Sequence, residues 1–154
     1  MSLPPFSTLL AEHGPDVHRF LVASAGPHDG ADCYQETVLA ALRAYPRLSH
    51  GQNLRGWLFT IAHRKVVDAA RTRQRQPVPV ATVPESLVRG ESEHSGGVWE
   101  AVRQLPTGQR TAVLQRFLFD RPYREIGEIV GCSEGAARQR VHEGLERLRE
   151  EVER

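Results

Sequence analysis

Apolar residues recur at intervals of three and four along most of the chain, which is the spacing of one face of an α-helix. Three such segments occupy the N-terminal half. Asp29 and Gly30 are predicted to separate the first helix from the second, and a loop from Pro46 to Asn53 is predicted before the third. The second helix has the apolar stripe Tyr34, Val38, Ala41, Leu42 and Tyr45, and the third has Leu54, Trp57, Leu58, Ile61, Ala62, Val66 and Ala69. These helices predict a compact bundle.

The helical pattern stops between Pro77 and Gly97, where three prolines are followed by small and polar residues without a period. Such a composition is typical of a linker. The pattern returns at Val98 and continues in several helices to the C-terminus. The sequence therefore predicts an all-α protein with two small helical domains, residues 1–76 and 98–154, joined by a flexible linker over 77–97.

Charge is distributed unevenly along the chain although the net charge is only +1. Residues 54–77 hold six basic residues and one acidic residue, so the third helix is strongly cationic. Lys65 is the single lysine of the chain, and the other basic residues are arginines. Arginine suits bidentate contacts with phosphates and base edges, but a GC-rich genome produces the same bias. Both explanations stay open.

Several classes of protein are excluded. No apolar run approaches the ~18 residues of a membrane span, and the N-terminus lacks the basic and apolar segments of a secretory signal, so no membrane association and a cytoplasmic location are predicted. Cys33 and Cys132 have no metal or redox spacing and are expected to be buried as small hydrophobes. The histidines show no ligand spacing, and no glycine-rich phosphate loop or nucleophile motif occurs. No catalytic residue, metal or cofactor is therefore predicted.

A helix-turn-helix motif is predicted in the C-terminal half. The segment Tyr123–Val130 is short and amphipathic, Gly131 follows it, and Ser133 is a good N-cap for a second helix. Gly127 and Ala137 are small where the two helices are expected to cross closely.

The outer face of the second helix is polar. Arginine and glutamine near the start of such a helix can reach guanine and adenine edges in the major groove. An ordinary helical hairpin with a solvated charged face is the alternative. The polar residues of this face are Glu134, Arg138, Gln139 and His142.

Further motifs stand in both halves of the chain. In the C-terminal half they are Leu105-Pro106, Gln109-Arg110, Tyr123 to Val130, Gly131, Ser133-Glu134-Gly135 and Arg138 to Val141. In the N-terminal half they are Ala31-Asp32, Gln35-Glu36-Thr37, Leu54-Arg55, Trp57-Leu58, Ile61-Ala62 and Asp68. The motifs of the C-terminal half resemble region 4 of the extracytoplasmic-function (ECF) group of bacterial RNA polymerase sigma factors, and those of the N-terminal half resemble region 2. The resemblance covers nearly the whole chain and follows the family's order.

The resemblance implies a factor that binds RNA polymerase core, through the clamp of the largest subunit and the flap, and directs it to promoter DNA. It also implies a separate anti-sigma protein as a partner. The residues implied to bind the clamp are Asp32, Gln35 and Glu36, for which a solvated helix face is the alternative. Those implied to contact the minus-ten element, on a loop and the exposed side of the third helix, are Asn53, Arg55, His63, Arg64, Lys65 and Arg71. Those implied at the minus-thirty-five element are Glu134, Arg138, Gln139, Arg140 and His142, with Arg140 on a phosphate.

The chain departs from the family pattern at a few positions. Arg64 stands where asparagine is common and His63 where arginine is common, so the family's minus-ten preference is not transferred. Ala136 and Ala137 replace a more usual Thr-Val pair. Trp57 either packs in the core or stacks on an unpaired base, and its place on the apolar stripe favours the core.

A dimeric helix-turn-helix repressor or activator is the alternative function. It would bind a palindromic operator without polymerase. The cationic third helix and the motifs of the N-terminal half argue against it.

Overall fold

The structure, a computed structural model, describes residues 3–49, 53–75 and 93–153. Within these ranges it contains only helices, which confirms the all-α prediction, and none of them is long and apolar enough to cross a membrane. The α-helices are α1 (Phe6–Ala25), α2 (Pro27–Ala44), α3 (Leu54–Arg75), α4 (Glu93–Gln104), α5 (Thr107–Phe117), α6 (Tyr123–Val130) and α7 (Glu134–Val152). A short 3-10 helix, Tyr45–Arg47, follows α2.

Helices α1, α2 and α3 form the predicted N-terminal bundle. Its centre is the pair Phe20 and Phe59, whose rings meet edge to face with centroids 5.6 Å apart, and Leu21 and Leu58 are buried beside them. Cys33 is buried as predicted, whereas Cys132 is only partly buried.

The boundary between α1 and α2 lies before the predicted one. Helix α1 ends at Ala25, Gly26 has a φ of 92°, and Pro27 opens α2. Glycine tolerates this left-handed backbone, and proline suits the first helical position. Gly30 lies inside α2, where a Cβ atom would come within 2.7 Å of Val22 Cα. The break predicted at Asp29 and Gly30 is therefore wrong, because Gly30 serves the close packing of α1 and α2.

The predicted linker also ends too late. Helix α4 begins at Glu93, so residues 93–97 are helical and not part of a linker. These residues have weak helix propensity, but α4 packs on α1 through Trp99 and Val102, and such packing outweighs propensity. The rest of the predicted linker falls outside the described residues.

The two helical halves lie against each other and share buried residues. Phe119, from the segment between α5 and α6, contacts Phe59 of α3 with the rings tilted and their centroids 5.2 Å apart. Leu114 and Ile129 belong to the same buried cluster. A smaller cluster in the C-terminal half comprises Ala112, Ile126, Ala137 and Val141. The division into domains 1–76 and 98–154 stays a prediction.

Candidate nucleic-acid interface

The turn between α6 and α7 is closed by glycine and a serine cap. Gly131 has φ 86° and ψ 38°, and the N–H groups of Gly131 and Cys132 both donate to the Gly127 carbonyl, at 2.7 and 2.8 Å. Ser133 Oγ accepts from the Ala136 N–H at 3.1 Å, which confirms the predicted N-cap. A Cβ on Gly127 would lie 2.6 Å from the Cys132 carbonyl oxygen, so this glycine is required by the turn itself.

Helix α7 is held by one buried side and presents the other to solvent. Ala137 and Val141 are buried against Ala112 and Ile126. The residues on the opposite side, predicted to read DNA, are exposed. They are Glu134, Arg138, Gln139 and His142.

Three of these exposed side chains are paired with a carboxylate one helical turn away. Such exposed pairs are weak, so they hold the side chains without preventing an exchange for another partner. The pairs are Arg138 Nη2 with Glu134 Oε1 at 3.6 Å, Gln139 Nε2 with Glu143 Oε1 at 3.1 Å, and His142 Nε2 with Glu146 Oε1 at 3.2 Å.

Arg138 also stacks on an aromatic ring that the sequence analysis did not single out. Its Cζ lies 4.9 Å from the Tyr123 ring centroid, and the Cζ of Arg116 lies at the same distance from that ring. This is cation–π geometry. Arg116, Tyr123 and Arg138 lie on three different helices, so only the folded arrangement of α5, α6 and α7 reveals the contact.

Arg140 does not join the exposed set. It is partly buried, its Nε has no hydrogen-bond partner, and a Cβ on Gly108 of α5 would come within 2.7 Å of its Nη1. The structure thus places Arg140 against α5, and its predicted phosphate contact stays a prediction.

The predicted basic face of α3 is divided by the fold. Arg64 and Arg71 are exposed and lie on one side, two helical turns apart. Lys65 is partly buried and shares a surface groove with Asp32 and Glu36 of α2. Arg64 and Arg71 are therefore the freely accessible cations among the predicted minus-ten residues.

Asn53 caps α3. It has a φ of 48°, its Oδ1 accepts from the Gly56 N–H at 3.0 Å, and its carbonyl accepts from the Trp57 N–H at 3.1 Å. The side chain remains exposed.

Trp57 is partly buried and contacts Tyr45, with ring centroids 6.0 Å apart. It therefore lies at the edge of the core.

Arg55 is covered by the C-terminal half. Its side chain is 12% exposed, it pairs with Asp16 at 3.6 Å, and its guanidinium lies over the rings of Phe59 at 4.7 Å and Phe119 at 5.2 Å. Burial lowers the pKa of Arg55, and the nearby Arg121 lowers it further.

His63 is covered in the same way. It is 6% exposed, and its Nδ1 is hydrogen-bonded to Thr111 Oγ1 of α5 at 2.7 Å. Burial lowers its pKa to about 4, with Arg140 as the next cause. The expectation that Arg55 and His63 lie on an exposed side of α3 is therefore wrong for this arrangement, because Phe119 and Thr111 cover them. Their contact with DNA stays a prediction.

The residues predicted to bind polymerase form an exposed stripe on α2. Asp32, Gln35 and Glu36 are all exposed. The stripe continues along the helix with Leu39 and Leu42, each 50% exposed. The assignment of Leu42 to the apolar core stripe is thus wrong, since the helix is rotated so that Leu39 and Leu42 face outward.

The comparisons with known proteins agree with this architecture. Residues 9–76 match the family model for Sigma-70 region 2, and residues 96–148 match that for Sigma-70 region 4. The RNA polymerase sigma factor CarQ of Myxococcus xanthus is 33% identical over 157 aligned residues, which cover 94% of this chain and 87% of CarQ. The ECF RNA polymerase sigma factor SigC of Mycobacterium tuberculosis is 32% identical, over 90% of this chain and 78% of SigC.

Solved structures show the same fold. The sigma factor RpoE of Bartonella quintana, crystallised with the anti-sigma factor NepR, superposes with a TM-score of 0.77 at 25% identity, covering 96% of both chains. CnrH, in complex with the cytosolic domain of CnrY, has a TM-score of 0.69 at 22% identity, over 96% of this chain and 87% of CnrH.

A region 2 bundle followed by a region 4 helix-turn-helix defines a transcription initiation factor of the sigma-70 class. Within that class, the chain belongs to the ECF group of RNA polymerase sigma factors. It is a non-enzymatic factor that binds RNA polymerase core and directs promoter recognition, and the dimeric repressor or activator is not favoured.

Proposed function

We propose that the exposed face of α7 reads the minus-thirty-five element. The observation that supports this is the one-sided burial of α7, which leaves Arg138, Gln139 and His142 in solvent on a helix that is anchored and capped. Arg138 is held beside Tyr123, so it loses less side-chain freedom when it contacts a base. Arg138 and Gln139 are the side chains suited to guanine and adenine.

The stripe on α2 is proposed to bind the clamp of the polymerase core. Asp32, Glu36 and Gln35 supply charge and hydrogen bonding, and the exposed Leu39 and Leu42 supply apolar contact on the same face. A rim of charge beside an apolar patch is the composition of a protein interface.

The minus-ten surface is proposed to become complete only when the two halves separate. In the structure the two halves pack against each other, and we call this the closed arrangement. Arg64 and Arg71 are accessible to DNA phosphates in it. Arg55 and His63 lie under Phe119 and Thr111, so they reach DNA only after these contacts are broken. We propose that the closed arrangement is that of the free factor and that binding to core requires opening.

An anti-sigma protein and a cytoplasmic location complete the proposal. RpoE of Bartonella quintana, which resembles this chain over 96% of its length, was crystallised with the anti-sigma factor NepR. An inhibitor of that kind can act by holding the two halves together or by covering the α2 stripe. The cytoplasmic location is inferred because the proposed partners, RNA polymerase and promoter DNA, are in the cytoplasm.

Charge reversal on α2 tests the polymerase surface. The proposed site requires a basic partner surface that complements the two carboxylates. The double variant Asp32→Lys/Glu36→Lys is therefore expected to weaken binding to purified core at least tenfold, because it replaces attraction by repulsion. Exposed substitutions change stability by about ±0.5 kcal/mol, so the fold is retained. The charge-matched control is Glu12→Lys/Glu150→Lys, whose residues are exposed on α1 and α7. Equal affinities of the two double variants for core would contradict the proposal that the α2 stripe binds polymerase.

A further inference from the structure

Tyr123 connects the core of the C-terminal half with the exposed face of α7. It is the first residue of α6. Its side chain is partly buried and packs against the smaller buried cluster, which also anchors α7. The position of the ring is therefore determined by the packing of α5, α6 and α7, and does not depend on the exposed side chains of α7.

Arg116 restrains the same ring. Its Cζ lies 4.9 Å from the ring centroid of Tyr123. Arg116 is itself attached to the segment between α5 and α6, because its Nη1 donates to the Arg121 carbonyl at 3.3 Å and lies 3.6 Å from Asp120 Oδ1. The ring is thus held by the core and by Arg116, and it forms a fixed support beside α7.

Arg138 is the side chain that uses this support. It is 59% exposed, and a long exposed arginine samples many rotamers, a freedom that it gives up when it binds. Gln139 and His142 each pair with a carboxylate of α7 itself. Of these three side chains, Arg138 alone has a cation–π contact within the described ranges, and that contact is with a ring from another helix.

The two partners of Arg138 make different demands on its guanidinium. The attraction to the Tyr123 ring acts on the cation as a whole and occupies none of its N–H donors. Glu134 Oε1 instead lies 3.6 Å from the donor atom Nη2, in an exposed and weak pair. A guanine accepts two N–H bonds at O6 and N7. It can therefore replace Glu134 while the contact between Arg138 and Tyr123 is kept.

We propose that Tyr123 is a positioning residue for base recognition, whose ring holds the Arg138 guanidinium where its donors meet a base. This role rests on the proposed reading of the minus-thirty-five element by α7. It makes specificity at one position of that element depend on a residue of α6. It also depends on the aromatic ring of Tyr123 and not on the hydroxyl group, because the ring face carries the attraction.

Binding of reconstituted holoenzyme to promoters with single changes in the minus-thirty-five element tests this role. Tyr123→Leu keeps an apolar side chain for the buried cluster and removes the ring, whereas Tyr123→Phe keeps the ring. At the position that Arg138→Ala relaxes, we expect Tyr123→Leu to lower the affinity ratio between the preferred and the changed promoter about three- to fivefold. Affinity for the changed promoter is expected to stay as in the wild type, and Tyr123→Phe to keep the wild-type ratio.

Two further variants separate positioning from a general structural effect. Tyr123→Leu combined with Arg138→Ala is expected to have the same ratio as Arg138→Ala alone, because the ring acts only through Arg138. Tyr34→Leu makes the same chemical change at a partly buried tyrosine of α2 and is expected to keep the wild-type ratio. Thermal unfolding of each full-length variant shows that it is folded.

The possible outcomes distinguish this role from the proposed function. A wild-type ratio in Tyr123→Leu together with a reduced ratio in Arg138→Ala would overturn the role of Tyr123 and leave the α7 assignment intact. An equal loss for all promoters in Tyr123→Leu, or an equal loss of the ratio in Tyr123→Phe and Tyr123→Leu, would also overturn it. Wild-type ratios at every position in Arg138→Ala would contradict the proposed function and this role with it.

Discussion

Burial changes the chemistry of single residues that the sequence presents as simple cations or polar groups. The resemblance to the ECF group implied that His63 contacts DNA, but its side chain is buried, 6% exposed, and its Nδ1 is hydrogen-bonded to Thr111 Oγ1. Its pKa of about 4 means that the closed arrangement contains the neutral imidazole. A protonated imidazole would lie near Arg140 and Arg64, both of which disfavour the charged form.

Acid is therefore expected to destabilise the closed arrangement through His63. The pKa is lower in the folded protein than the 6.5 of the free side chain, so the stabilisation is complete above pH 6.5 and is lost as the pH falls toward 4. Between about pH 7.5 and about pH 5.5 the loss is roughly 1 kcal/mol. Urea unfolding at the two pH values measures it, with His63→Gln as the control that lacks the titrating group. An equal pH dependence in both proteins would contradict the burial of a neutral histidine.

The helical elements were predicted well where local chemistry determines them. Ser133, Gly131 and Gly127 marked the helix-turn-helix turn in the sequence, and the structure places each in the expected cap, left-handed position or close contact. The boundaries that depend on packing were missed. Gly30 looked like a helix stop but allows α1 to approach α2, and α4 extends back to Glu93 because its later residues pack on α1.

Gly127 and Gly135 of the helix-turn-helix are expected to respond differently to alanine. Gly127→Ala places a Cβ 2.6 Å from a backbone oxygen that cannot move without opening the turn, so we expect a loss of about 1 to 3 kcal/mol. Gly135→Ala, in the first turn of α7, meets no atom within 4 Å and is expected to be neutral or stabilising. Thermal or urea unfolding compares the two variants. Equal stabilities would show that the turn is looser than described.

The arrangement of the whole molecule lies beyond what the sequence predicts. The contacts that join the halves link residues far apart in the chain, such as His63 with Thr111, Phe59 with Phe119, and Arg110 with the Ser24 carbonyl. No periodicity or motif relates these positions. The candidate DNA face of α7 could be predicted because it needs only one helix and its cap, whereas the covering of Arg55 and His63 depends on the meeting of two halves.

Removal of the Phe119 ring is expected to open the molecule. Phe119 is 8% exposed and contacts Phe59 and Arg55 across the halves, whereas Phe117 is 62% exposed. Phe119→Ala should increase the radius of gyration in small-angle X-ray scattering and speed association with polymerase core. Phe117→Ala makes the same chemical change nearby and should leave both quantities as in the wild type. Identical scattering of the two variants would mean that Phe119 does not hold the halves together.

Promoter selection by reconstituted holoenzyme is the measurement that tests the assignment of the DNA-reading residues most directly. Wild type, Arg138→Ala and Arg71→Ala are each used with purified core to select from a randomised promoter library at two salt concentrations. We expect Arg138→Ala to lose about 1 to 3 kcal/mol of discrimination at one minus-thirty-five position. Arg71→Ala should bind more weakly with unchanged sequence preference and a smaller salt dependence, since it loses one phosphate contact. If Arg138→Ala selects the same upstream hexamer as the wild type, α7 does not read the minus-thirty-five element through this face.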